Sequence, residues 1–385
     1  MRVQVLAPGQ APQRSPAASG FPEVYAGWRP RAVLGAASAG ALLLPDAGPS
    51  ASTMYAPRGV LVTDDLVIAA DTGNHRILIW HGIPSTDATP ADVVLGQPDE
   101  HTEGPGLLHL PTGLLLHEGR LVVCDAWHHR LLVWDSLPEA TGTPPSAVIG
   151  AEGPPSASTL NQPFGIALVE GRCYVADTYN RRVLVWRGGV PEPGQPADVV
   201  LGQPDPSSRG ENRDHEPAAD SFRWPHAICS DGEGGVWIAD AGNHRILGWT
   251  SHPDEDRPAD RVLGQPDFTT AGEFPYVSQE GRLRFPYGIA SMAGALAVAD
   301  TANNRILLQD APVGTWAPTG ALAQPTLAAN GENRWEQVAS DTLCWPYGLS
   351  WHRPSSAEPD VMAIADSGNN RVVLWERSFS TMAAR

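Results

Sequence analysis

The chain has no lysine; all 26 of its basic residues are arginine. That absence excludes a Schiff-base nucleophile, a phosphate-binding loop that ends in lysine, and a lysine general base. Cysteine is scarce. Its four copies, Cys124, Cys173, Cys229 and Cys344, show no Cys-x-x-Cys spacing, so they read as isolated buried thiols rather than a disulfide framework. Positive charge is outweighed: 43 acidic residues face 26 basic ones, for a formal net charge of −17. No basic run interrupts that balance, which argues against binding nucleic acid by phosphate neutralisation. Long apolar runs are missing too. Ala41-Leu42-Leu43-Leu44 is far too short to span a bilayer, and residues 1–20 have no apolar core of the kind a secretion signal needs. No membrane association and a cytoplasmic location are expected. There is no Gly-x-Ser-x-Gly motif for nucleophilic hydrolysis.

Glycine and proline are plentiful, at 39 and 37 residues, as suits many tight turns and few helices. The pattern Asp-x-x-(Asn/His)-x-Arg occurs six times. It opens at Asp71, Asp125, Asp177, Asp240, Asp300 and Asp366 and closes at Arg76, Arg130, Arg182, Arg245, Arg305 and Arg371. Successive Asp residues are 54, 52, 63, 60 and 66 apart, the scale of a ring or array of similar units. Each Asp ends a short apolar run, such as Leu66-Val67-Ile68-Ala69-Ala70, and each Arg begins another, such as Ile77-Leu78-Ile79-Trp80. Such runs are strands, too short for a well-buried helix, and the tetrad between them is a hairpin connection. A strand opening with Pro-x-(Gly/Ala) precedes each pair, and proline is tolerated at a strand's first residue. An outer strand follows, as in Val93-Val94-Leu95-Gly96.

Four antiparallel strands in each of six units predict an all-β, six-bladed β-propeller. The sixth unit ends at Leu374-Trp375 with no outer strand of its own. Arg31-Ala32-Val33-Leu34-Gly35 is expected to supply it, so the N-terminal strand completes the last blade and closes the ring. The predicted layout is a flexible segment at 1–25, one propeller at 26–378 and a tail at 379–385.

These residues resemble the NHL repeat family. Pro-x-(Gly/Ala), then a run ending in Asp-x-x-(Asn/His)-x-Arg, recurs in all six units in the manner of that family's Pro-x-Gly-(Ile/Val), Val-Ala-Asp-x-x-Asn-x-Arg-(Ile/Val) pattern, and Asn74-His75-Arg76-Ile77 and Asn243-His244-Arg245-Ile246 come close to its Asn-His-Leu signature. The Leu-Gly-Gln-Pro-Asp strand ending looks like a bacterial subset. Related six-bladed propellers include zinc-dependent amidating lyases and calcium-dependent lactonases, and some animal members bind RNA on a basic face. A metal-dependent lyase or lactonase-like hydrolase with its site at the channel mouth is thus the alternative reading.

Six copies of one residue serve a scaffold. The Asp–Arg pairs are expected to lie across each hairpin in a bidentate guanidinium–carboxylate contact. The tryptophans closing the third strand (Trp80, Trp134, Trp186, Trp249, Trp375) should fill wedges between blades, with Gln309 atypical in unit five. Function belongs where symmetry fails. The stretches before each Pro-x-(Gly/Ala) number 20, 13, 11, 21, 20 and 21 residues, predicting a raised rim with a notch over blades two and three. Two of the long ones, 204–224 and 325–345, share Gly-Glu-Asn-Arg; 266–285 does not. The residue between Pro and Gly also varies. Arg58, Thr112, Phe164, His226, Tyr287 and Tyr347 should surround the channel mouth as a mixed polar and aromatic ligand pocket. Histidines 75, 128, 129 and 244 fall in repeat turns and His109 just before a strand, which gives no obvious metal set. The inner strands, such as Val60-Leu61-Val62, are apolar rather than acidic. No catalytic residue, metal or cofactor is assigned. The expected role is non-catalytic binding or scaffolding, by a monomer, of a protein, peptide or small ligand on the face bearing the turns and the interblade connections.

Overall fold

The apolar runs become strands because β-branched residues alternate between two buried faces. The computed structural model describes residues 21–35, 48–273, 280–310, 314–354 and 358–378. Its strands form six four-stranded antiparallel sheets. Blade one comprises Gly59–Val62, Leu66–Asp71, Arg76–His81 and Val93–Leu95, from the axis outward. Blades two to five repeat that order, with inner strands Pro111–His117, Pro163–Val169, Pro225–Ser230 and Pro286–Met292.

Blade six is built from both parts of the chain. Pro346–His352, Asp360–Asp366 and Arg371–Arg377 are completed by Arg29–Leu34, which pairs antiparallel with the last of them. Val33 lies opposite Val373 and Leu34 opposite Val372. Arg29 and Arg31 both reach Glu376, at 2.8 and 3.0 Å. Of the leading 25 residues, 1–20 lie outside the described residues. Glu23–Tyr25 forms a 3-10 turn, and Tyr25 is buried edge-on against Trp375, 5.4 Å between ring centroids. The tail at 379–385 lies outside the described residues.

The core is six apolar wedges between neighbouring blades. Along one strand, Leu66, Ile68 and Ala70 face Leu121, Val123 and Trp134 of blade two. Val67 and Ala69 face Val361, Ala363 and Leu374 of blade six. This is the period of two that a strand buried on both faces requires.

At the axis the inner strands crowd together. A Cβ added to Gly59 would stand 1.8 Å from the Thr112 carbonyl oxygen, and one on Gly165 would stand 1.8 Å from that of His226. In the blades that carry it, glycine two residues after the proline is therefore a steric requirement imposed by the next blade; blade four accommodates Ala227 there.

The third-strand tryptophans are buried in the wedges. The Trp80 Nε1–H donates to the Thr89 carbonyl at 2.9 Å and the Trp134 Nε1–H to Thr143 at 3.0 Å, tying down the loop outside the blade. Gln309 keeps that function in blade five: its Nε2 donates to the Thr315 carbonyl at 2.6 Å.

Candidate functional site

The Asp–Arg turns come first because they position everything above the inner strands. Asp71 and Arg76 are register partners, joined by a 3-10 turn at Thr72–Asn74. One carboxylate oxygen takes the Arg Nε–H, at 2.6–2.9 Å in all six units. The other takes a backbone N–H two residues before the inner-strand proline, from Tyr55, His109, Asn161, Arg223, Arg284 and Cys344. The expected bidentate pair is therefore corrected to a single contact. Other guanidinium N–H groups hold loop carbonyls instead, as Arg182 holds Ser156 and Thr159. The carboxylate must serve the strand in front of it, so it cannot give both oxygens to one fork.

The fifth residue of each turn, unremarked in the sequence motif, joins blade to blade. It sits in the left-handed region, with φ of 52–57°. Its side chain accepts the N–H of the pre-proline residue in the following blade. His75 Nδ1 accepts from Leu110 at 3.1 Å, His129 from Gln162 at 3.1 Å and His244 from Phe285 at 3.2 Å. In the last two blades Asn Oδ1 takes the place of His Nδ1: Asn304 accepts from Trp345 and Asn370 from Ala56, both at 2.9 Å. Arg181 has no acceptor to offer, and the Trp224 N–H turns to Asp240 instead.

Above this frame the inner strands carry a bulge. Pro163 opposes Asp177 and Gly165 opposes Ala176, which leaves Phe164 unpaired. The register shifts likewise at the start of the inner strands of blades two, four, five and six. A bulge re-aims the side chain it frees. In blades two to six the freed residues include the ones between proline and glycine or alanine; blade one has no such shift, and the Arg58 N–H donates to the Ala70 carbonyl at 3.2 Å. Arg58, Thr112, Phe164, His226, Tyr287 and Tyr347 all line one cavity of about 110 Å³ on the axis.

The rings form an arc. Tyr347 and Tyr287 stack at 4.5 Å and 13°, His226 lies 4.4 Å from Tyr287, and Phe164 lies 4.7 Å from His226. Trp127 extends the arc edge-on to Phe164 at 6.0 Å. The Arg58 guanidinium lies over Tyr347, 4.9 Å from its centroid, a cation–π contact. Thr112 occupies the gap, its hydroxyl donating to the Pro163 carbonyl at 3.2 Å. His226 faces the Trp224 carbonyl through Nδ1 at 3.0 Å. A carbonyl only accepts, so the proton is on Nδ1 and Nε2 is a free acceptor. Burial drives the His226 pKa down to about 4, and the ring is neutral at physiological pH. Burial raises the Tyr287 hydroxyl well above its usual range.

Elsewhere, the fold joins three imidazoles that the sequence scatters: His75 and His109 are 5.1 Å apart, and His109 and His128 are 5.3 Å apart. His75 and His109 are both held below the usual histidine value, by burial first and by each other's or His128's charge next. His128 is turned to Asp125 and His75 to a backbone N–H. No group of three His, Cys, Asp or Glu among the described residues is arranged to hold a metal ion. The shared Gly-Glu-Asn-Arg loops are built alike. Asn212 pairs reciprocally with Asn243, and Asn333 with Asn369, while Arg213 and Arg334 pair with Asp220 and Asp341. Among the described residues no helix is long and apolar enough to cross a membrane.

Residues 222–249, in blade four, match the sequence model of the NHL repeat. No curated protein matches the chain. Solved structures to which it is similar include virginiamycin B lyase from Staphylococcus aureus, 13% identical over 85% of this chain and 97% of that one, with a TM-score of 0.47. A protein of unknown function from Bacteroides thetaiotaomicron is 12% identical over 89% of this chain and 74% of that one, with a TM-score of 0.50. At such identities a likeness speaks to the fold alone.

Proposed function

The chain being a six-bladed β-propeller of NHL-type repeats, we propose that it is a non-catalytic binding module that takes its ligand at the channel mouth. What supports this reading is the convergence of six side chains of five different kinds on one cavity while the residues around them repeat. A scaffold needs the repeated residues. It has no need of an arginine, a buried neutral histidine and three aromatics at the position between proline and glycine or alanine. The cavity also lacks a proton-transfer pair: no Asp or Glu lines it, and the His226 Nδ1–H is committed to a carbonyl. A general base needs a partner to orient it and a pKa near the working pH.

The test is a variant carrying His226→Gln, Tyr287→Leu and Tyr347→Leu together, shown by circular dichroism to be folded. The dialysable and the retained fractions of a cell extract are each added to both proteins, and the melting temperatures compared. A ligand at 100 times its Kd stabilises by about 2.7 kcal/mol, so the wild-type transition should rise and that of the variant should not. An equal rise in both would remove the channel mouth from the reading.

A further inference from the structure

The chemistry of the mouth narrows the ligand, on the assumption that the mouth is a binding site at all. We infer that the channel mouth takes a single flat ring bearing an anionic group, as in an aromatic carboxylate, with Arg58 as the anion's anchor.

Size comes first. A cavity of about 110 Å³ approaches the roughly 150 Å³ that admits a benzene ring in an engineered protein core. The space is on the scale of one ring and far below that of a folded peptide segment. The lining sets the shape. Tyr347 and Tyr287 turn their faces to one another, at 13° between planes, so their edges border the opening. Ring edges carry the positive end of the aromatic quadrupole and attract the negative face of an incoming ring.

Charge comes next. The chain carries a net −17, which repels anions at long range. The mouth reverses that bias locally. None of its lining residues is acidic, and Arg58 is its one ionised group. The motif arginines each have a carboxylate, but among the described residues no carboxylate is paired with Arg58, and its Nε is buried without a partner. A guanidinium held flat by Tyr347 and short of acceptors presents a fork that matches a carboxylate. Solution ions screen the molecule's overall field within about 8–10 Å, so a direct contact of this kind prevails over the distant acidic surface.

The opposite side of the ring adds a second selection. Arg58 belongs to blade one and His226 to blade four, which face each other across a six-membered ring of blades. His226 offers Nε2 as an acceptor. A hydroxyl placed across the aromatic ring from the carboxylate can donate to it.

Calorimetric titration of the full chain with benzoate, benzamide and 4-hydroxybenzoate tests this. Benzoate should bind about tenfold more tightly than benzamide, the range of one charge-assisted contact. Arg58→Gln should abolish that preference, so that benzoate and benzamide bind the variant equally. 4-Hydroxybenzoate should bind more tightly than benzoate, and His226→Phe should erase that gain while sparing the benzoate–benzamide difference. Equal binding of benzoate and benzamide to wild type, both lost in the triple variant, would overturn the anion assignment and leave the mouth as a ligand site. No heat from benzoate at millimolar concentration would overturn the ring-and-anion assignment, with the extract experiment deciding the mouth separately.

Discussion

At the scale of the residue, the six Asp–Arg contacts, five of them buried on both sides, are joints rather than binding groups. Burial raises the Asp71, Asp177, Asp300 and Asp366 carboxyls, and the neighbouring guanidinium and N–H donors pull them back. The described partners of the Asp177 carboxylate are all donors, from Asn161, Asn180 and Arg182, which suits the anion. Removing one member leaves the other charge uncompensated. Arg182→Leu should therefore cost about 3–5 kcal/mol in urea unfolding, the range for a buried pair broken on one side. A loss under about 1 kcal/mol, as for an exposed pair, would show that water replaces the guanidinium. That the Asp and Arg serve structure was legible from their sixfold recurrence. The way the carboxylate divides its oxygens was not, because its second partner lies 16 residues upstream in units one, two, three and five, 17 in unit four and 22 in unit six.

At the scale of the element, the turn is both a hairpin and a clasp on the next blade. His75 and His244 accept a backbone N–H through Nδ1, which requires the neutral ring. Burial lowers the pKa of both. The folded state therefore takes up protons less readily than the unfolded chain. This contribution to stability is complete above the ordinary histidine value of about 6.5 and is lost as pH falls from there through the lowered folded-state values. The chain itself supplies the control, since Asn does the same work in blades five and six. His75→Asn with His244→Asn should leave the melting temperature near neutrality almost unchanged and make its fall between neutral and mildly acid pH shallower. An unaltered slope would mean that these imidazoles stay neutral or unfolding is governed by other groups. The same clasp accounts for the irregular third unit: Arg181 cannot accept, and Trp224 leaves the positive φ that its counterparts Ala56, Leu110, Gln162, Phe285 and Trp345 adopt.

At the scale of the molecule, closure makes six similar blades into one ring. Arg29–Leu34 supplies the outer strand of blade six, and Tyr25, Trp28 and Val33 fill the wedge between blades five and six. Deleting residues 1–36 should expose the edge of Arg371–Arg377 and lower the melting temperature sharply. An unchanged curve would refute closure as a source of stability. Glu376→Gln should cost less than about 1 kcal/mol, because Arg29 is largely exposed. Backbone pairing and the filled wedge, rather than the surface charges, hold the ring shut.

Blade number, strand order and the borrowed strand could be read from the chain because each is a local pattern repeated: apolar alternation, a turn signature, and one missing strand matched by one spare. The six residues between proline and glycine were readable as a group for the same reason. Their stacking into an arc, the open fork on Arg58, the tautomer of His226 and the clasp at the turn's fifth position depend on contacts between blades 50 or so residues apart. Those contacts come from bringing distant strands to a common axis, where the next blade's backbone, and not the local sequence, sets the space and the partners each side chain finds.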